Sequence, residues 1–203
     1  ETDRRLVRTR IQRLKSELDK IEKQRSIRRK GRDNFFKVAL VGYTNVGKST
    51  IMNLLSNSDV LVQNQLFATL DFTVRKVHLE YGKEILLSDT VGFIRKLPHN
   101  LVASFKSTLE EAREADLLLH VTDLSQDNYE EHMDIVKNVL RDLEIKKKNV
   151  LLVFNKIDLV EESGLFRQLK VRFPEAVFVS AVKNMGINQF KQKILAYYNE
   201  QFI

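Results

Sequence analysis

The sequence predicts an α/β fold: a mostly parallel sheet of six strands covered by helices on both faces and preceded by a basic helical arm. Three observations predict it. From residue 36 onward, short runs rich in Val, Leu and Phe alternate with amphipathic helical runs. The 203 residues, 43% apolar and 30% charged, are enough for one domain with a well-buried core. The net charge of +7 lies wholly in residues 1–33, which hold 13 Lys and Arg against six acids and leave 21 of each to the rest.

In the arm, Val7, Ile11, Leu14, Leu18 and Ile21 follow spacings of 4, 3, 4 and 3, the period of a helix that packs lengthwise on another. Two heptads cannot stand alone in water, so the seam asks for a second copy or for a segment ahead of Glu1. The arm's bases call for a polyanion such as RNA, or equally form the solvated outer face of that helix. Gly31 and Asp33-Asn34 end the pattern. The expected division is therefore an arm, 1–33, and a globular domain, 34–203.

Within the domain, strands are expected at 36–41, 74–81, 84–87, 117–121, 150–154 and 176–179. The second and third form a hairpin around Gly82-Lys83. Helices are expected at 48–55, 101–115, 129–143, 161–173 and 187–198. Cysteine is absent, which excludes disulfides, thiolate metal sites and a cysteine nucleophile. His78, His99, His120 and His132 lack metal-ligand spacing. No apolar run approaches the roughly 20 residues of a membrane span and no signal peptide is visible. A cytoplasmic monomer with no membrane partner is expected, and a first residue Glu1 instead of methionine predicts a fragment or processed chain.

In a parallel sheet, ligands bind beyond the carboxyl ends of the strands, so the loops there carry the chemistry. After the first strand comes Gly42-Tyr43-Thr44-Asn45-Val46-Gly47-Lys48-Ser49, a G-x-x-x-x-G-K-[ST] pattern. Its glycines let backbone N–H groups turn inward onto phosphate oxygens, Lys48 reaches the β- and γ-phosphates, and Ser49 can ligate Mg²⁺. The helix opening at Lys48-Ser49-Thr50 adds its positive end. After the third strand, Asp89-Thr90-Val91-Gly92 offers a carboxylate for Mg²⁺ and a Gly92 N–H that senses a γ-phosphate. The second hydroxyl on Mg²⁺ should come from the loop before the second strand, with Thr69 and Thr73 as candidates.

After the fifth strand, Asn155-Lys156-Ile157-Asp158 presents an aspartate that can accept both the ring N–H and the exocyclic amine of guanine. Adenine would leave that carboxylate unpaired. Asn155 and Lys156 brace the pocket. Ser180-Ala181-Val182-Lys183 ends the last strand, and the Ala181 N–H is the candidate partner of guanine O6.

These four signatures in this order resemble those of the translation-factor-related P-loop GTPases and imply their Ras-like fold. Leu66-Phe67-Ala68-Thr69-Leu70-Asp71, with Asp89-Thr90-Val91-Gly92-Phe93-Ile94 and Leu97-Pro98-His99, is similar to the HflX family of ribosome-associated GTPases, over essentially the whole chain. Glu1-Thr2-Asp3-Arg4-Arg5 is similar to the junction that follows that family's amino-terminal domain. The resemblance implies GTP as substrate, GDP and phosphate as products, Mg²⁺ as cofactor, and a switch acting on the large ribosomal subunit and its RNA in splitting, rescue or biogenesis. It also implies a ribosome-binding domain ahead of Glu1. It places Phe67-Ala68-Thr69-Leu70-Asp71 at the nucleotide and favours Thr69 over Thr73. Phe72 departs from the family, where proline usually follows the aspartate.

Phe93 follows Gly92, where many GTPases place a glutamine that orients the attacking water. Phenylalanine cannot do so, and slow basal hydrolysis is expected, raised by a partner or an ion. Asn45 resembles the residue whose carbonyl helps seat K⁺ in potassium-stimulated GTPases, and reads equally as a turn residue. Residues 57–73 and 89–100 are the expected switch segments.

Overall fold

The computed structural model describes residues 7, 10–13, 34–56, 73–90, 92–93, 111–145, 148–161 and 163–202. The chain divides into two units, Glu1–Phe35 and Phe36–Ile203. In the first, residues 7 and 10–13 are helical and exposed, including Val7 and Ile11 of the seam. Leu14, Leu18 and Ile21 lie outside the described residues.

The second unit runs β1 (Phe36–Gly42), α1 (Lys48–Ser56), β2 (Thr73–His78), β3 (Glu84–Asp89), β4 (Leu117–Asp123), α2 (Tyr129–Asp142), β5 (Asn149–Asn155), α3 (Ser163–Arg172), β6 (Val177–Phe178) and α4 (Ile187–Phe202). The strand order is β2-β3-β1-β4-β5-β6. β2 pairs antiparallel with β3, and every other pairing is parallel. The order reverses about β1, which has β3 on one side and β4 on the other. That switch point opens a crevice at the end of β1.

Alternation along the strands sorts the core into two layers. Val38 and Leu40 of β1, Ile85 and Leu87 of β3, and Leu117, Leu119 and Val121 of β4 pack with Ile51, Met52 and Leu55 of α1 and Phe190 and Ile194 of α4. Ala39, Val41 and Leu118 face the other way, against Val136 and Leu140 of α2. A third cluster gathers Phe154, Leu169 and Ala176, with the Phe154 ring stacked on Phe178 at 5.1 Å.

Two expected boundaries move by three residues or more. The hairpin reversal takes residues 79–83, through a 3₁₀ turn at Glu80–Gly82 whose Tyr81 and Gly82 both have positive φ, so β2 stops at His78 instead of reaching residue 81. α4 runs past residue 198 to Phe202. Of the helix expected at 101–115, residues 111–114 are helical and the remainder up to 110 lies outside the described residues. Among the described residues, no helix is long and apolar enough to cross a membrane.

Candidate functional site

The loop after β1 is shaped by its backbone. Gly47 has φ +94°, and a Cβ there would stand 2.4 Å from Asn155 Nδ2. A Cβ on Gly42 would meet the Val121 carbonyl at 2.4 Å. Asn45 is left-handed at φ 61°, a conformation asparagine tolerates better than most residues. The loop thus curls tightly over β4 and β5, and the first helical turn of α1 follows at Lys48.

Lys48 is 7% exposed, and its Nζ donates to the carbonyls of Tyr43 (3.0 Å) and Gly42 (3.4 Å). Burial pulls its pKa down to about 8, against the attraction of Asp89, which raises it. The cation is held inside the loop where a phosphate would meet it. Next to it, Ser49 Oγ donates to Asp89 Oδ2 at 2.6 Å. A hydroxyl and a carboxylate oxygen converge there, the hard donors that magnesium takes, so this pair fits the ion.

The segment after β3 is tied to the phosphate loop. Thr90 Oγ1 donates to the Leu40 carbonyl at 2.6 Å. Phe93 N–H donates to Gly42 O and Thr44 N–H to Phe93 O, both at 3.0 Å. A Cβ on Gly92 would stand 2.8 Å from Thr44 Cα and 3.0 Å from Lys48 Nζ, so only glycine leaves the lysine room there. The Phe93 side chain is buried with Ala39, Val41 and Leu118. It is an anchor for this segment in the core and presents no polar atom to water.

The base-side loops join the phosphate loop through Asn155, 2% exposed. Its Nδ2 donates to Val46 O at 2.8 Å, and its Oδ1 accepts the Ala181 N–H at 3.1 Å. The N–H expected for guanine O6 is therefore engaged by Asn155, and a guanine would compete for it. Lys156, left-handed at φ 63°, donates from Nζ to Asn45 O at 2.9 Å and pairs with Asp123 Oδ2 at 2.7 Å. Asp158 is exposed in the short 3₁₀ turn that follows, as is Val182 in the last loop. Ser180 is buried, and its Oγ accepts the Lys183 N–H at 3.1 Å.

Gly42, Asp89 and Asn155 are the last residues of β1, β3 and β5. The rest of Gly42 to Thr50, with Thr90, Gly92, Lys156, Asp158 and Ser180 to Val182, lies in the loops beyond the carboxyl ends of those strands and of β6, or at the helix start beside them. Phe67, Ala68, Thr69, Leu70, Asp71 and Val91 lie outside the described residues. Thr73, the other hydroxyl candidate, opens β2 opposite Asp89. Sequence reasoning missed two contacts: Asp123 on Lys156, and the Tyr43 ring stacked on His132 at 3.9 Å. Position at the end of a strand was the available signal for Asp123.

The family model described as 50S ribosome-binding GTPase matches residues 37–156. The chain is 50% identical to the GTPase HflX of Magnetococcus marinus, over 92% of this chain and 44% of that protein. It is 48% identical to the GTPase HflX of Flavobacterium psychrophilum, over 96% and 52%. It spans about half the length of these curated relatives. Among solved structures, it resembles a GTP-binding protein from Sulfolobus solfataricus in complex with GDP, with TM-score 0.69 and 25% identity over 92% of this chain and 58% of that one.

Proposed function

The chain belongs to the 50S ribosome-binding GTPase family, and from that premise we propose that it binds GTP, hydrolyses it to GDP and phosphate, and uses the cycle as a conformational switch on the large ribosomal subunit. The resemblance to the HflX family implies a role in splitting, rescue or biogenesis of ribosomes, with ribosomal RNA as the surface contacted. The observation that carries the nucleotide reading is the Asn155 side chain, which bonds the phosphate loop at Val46 and the base-side turn at Ala181. One amide sets the spacing between a triphosphate cradle and a purine pocket.

The roles follow from chemistry. Inward N–H groups of 42–49, Lys48 and the Gly92 N–H bind and neutralise the phosphates. Ser49 and Asp89, with Thr69 as the second hydroxyl, would hold Mg²⁺, which when bound supplies positive charge to the β- and γ-phosphate oxygens. Asp158 selects guanine. With Phe93 committed to the core, the protein lacks a polar side chain at that position to orient water. Basal turnover would then be slow, and a K⁺ held beside Asn45, or a ribosomal partner, would supply the missing polarisation.

Titration with GDP and ADP by calorimetry, with Asp158→Ala beside the unaltered protein, tests this reading. GDP is expected to bind and ADP not to, with the preference falling at least 100-fold in the variant, about 2.7 kcal/mol. Preference retained in the variant contradicts the role of Asp158, and no heat with GDP and magnesium contradicts the function. Hydrolysis rates in KCl and NaCl at equal ionic strength read the cation, and equal rates remove it.

A further inference from the structure

Asp123 closes β4 at the carboxyl edge of the sheet, opposite Asn155 in the β4–β5 register. It is 4% exposed, and nothing in the phosphate or base chemistry above uses it. A buried carboxylate costs free energy unless it is fully partnered, and this one is well supplied. Oδ1 accepts the Ser125 N–H (3.0 Å) and the Ser125 hydroxyl (2.6 Å), and Oδ2 takes the Lys156 ammonium at 2.7 Å. The two Ser125 donors fix the carboxylate's orientation, so it is a rigid acceptor.

What it holds is mobile by nature. A lysine side chain carries four rotatable carbons and loses much rotamer freedom when fixed. Lys156 is only partly buried, and its Nζ makes one further bond, to the Asn45 carbonyl of the phosphate loop. Asp123, Lys156 and Asn45 thus form a continuous clasp from the end of β4, across the base-side loop, to the turn over the phosphates.

We propose that Asp123 is a positioning residue that holds Lys156 across the phosphate loop and thereby slows the release of bound guanine nucleotide. The inference rests on the nucleotide reading above. With the lysine pre-ordered, nucleotide binding does not have to order it. The sign separates this from a plain field effect. A carboxylate near bound phosphates repels them, so charge alone makes its removal tighten binding. Loss of the clasp makes removal loosen it.

The test measures release of a fluorescent GDP analogue into excess GDP, with steady-state GTP hydrolysis, for the unaltered chain, Asp123→Asn, Lys156→Ala and the double variant. The carboxamide keeps the shape and an oxygen for Ser125; if circular dichroism shows it unfolded, Asp123→Ser takes its place. Asp123→Asn is expected to release GDP roughly tenfold faster and raise KM in proportion, with kcat within about twofold. The double variant should be no faster than Lys156→Ala, since both changes open one clasp. Release at or below the unaltered rate, or effects that multiply in the double variant, overturns the inference. An unaltered chain that retains no GDP overturns the nucleotide reading itself, a result distinct from the first.

Discussion

Lys48 shows how one residue's environment sets the working range of the site. Burial lowers its pKa to about 8, so the free protein sheds that proton a little above neutrality, while bound phosphates favour the charged form. Binding therefore takes up a proton above pH 8. The expected profile of kcat/KM for GTP is flat below that pH and falls about tenfold per unit above it. A profile level to pH 9.5 would show that the lysine stays charged without nucleotide. Its type and place in the loop were legible in sequence. The carbonyls of Gly42 and Tyr43 that hold it were not, because they belong to backbone that any residue supplies.

At the scale of elements, β4 is the informative case. Its seven residues are all buried, as expected for a central strand of a parallel sheet, yet it carries His120 and Thr122 on the face of Leu118. Among the described residues, neither His120 Nε2 nor Thr122 Oγ1 has a hydrogen-bond partner. Burial, aided by the charge of Lys137, lowers the His120 pKa from 6.5 to about 4. Because the folded pKa lies below the unfolded one, the unfolded chain binds the extra proton. Stability is complete above about pH 6.5 and falls as pH drops toward 4, by up to about 1.4 kcal/mol per unit. Urea unfolding at pH 7 and pH 5 should show the loss, and His120→Leu should flatten it; equal slopes in both proteins would assign the acid sensitivity elsewhere. The strand was legible from its apolar run, but a histidine in such a run gives no sign of whether water reaches it.

For the whole molecule, the strand order brings the loops after β1, β3, β4, β5 and β6 to one edge, so a single ligand can touch segments separated by more than a hundred residues. A switch must bind its partner differently in its two nucleotide states. In cosedimentation of the full-length protein with ribosomal subunits, a non-hydrolysable GTP analogue should give roughly tenfold tighter binding to the large subunit than GDP, about 1.4 kcal/mol. Equal pelleting in both states would remove the switch. The basic arm makes its own demand. If its charges meet RNA, the binding falls steeply with salt, whereas a solvated helical face gives little dependence.

The sequence by itself determined the fold class, the order of the elements and the chemical groups of the site. Each of these is written locally: apolar period follows backbone geometry, and a phosphate loop needs its glycines and lysine within eight consecutive positions. Only the tertiary structure decided what those groups touch. Asn155 bonds Val46 and Ala181, Asp123 clasps Lys156, and Phe93 turns into the core. Such contacts form between residues distant in the chain, and their energy depends on burial and on the angle between groups, quantities that exist only once the sheet has assembled.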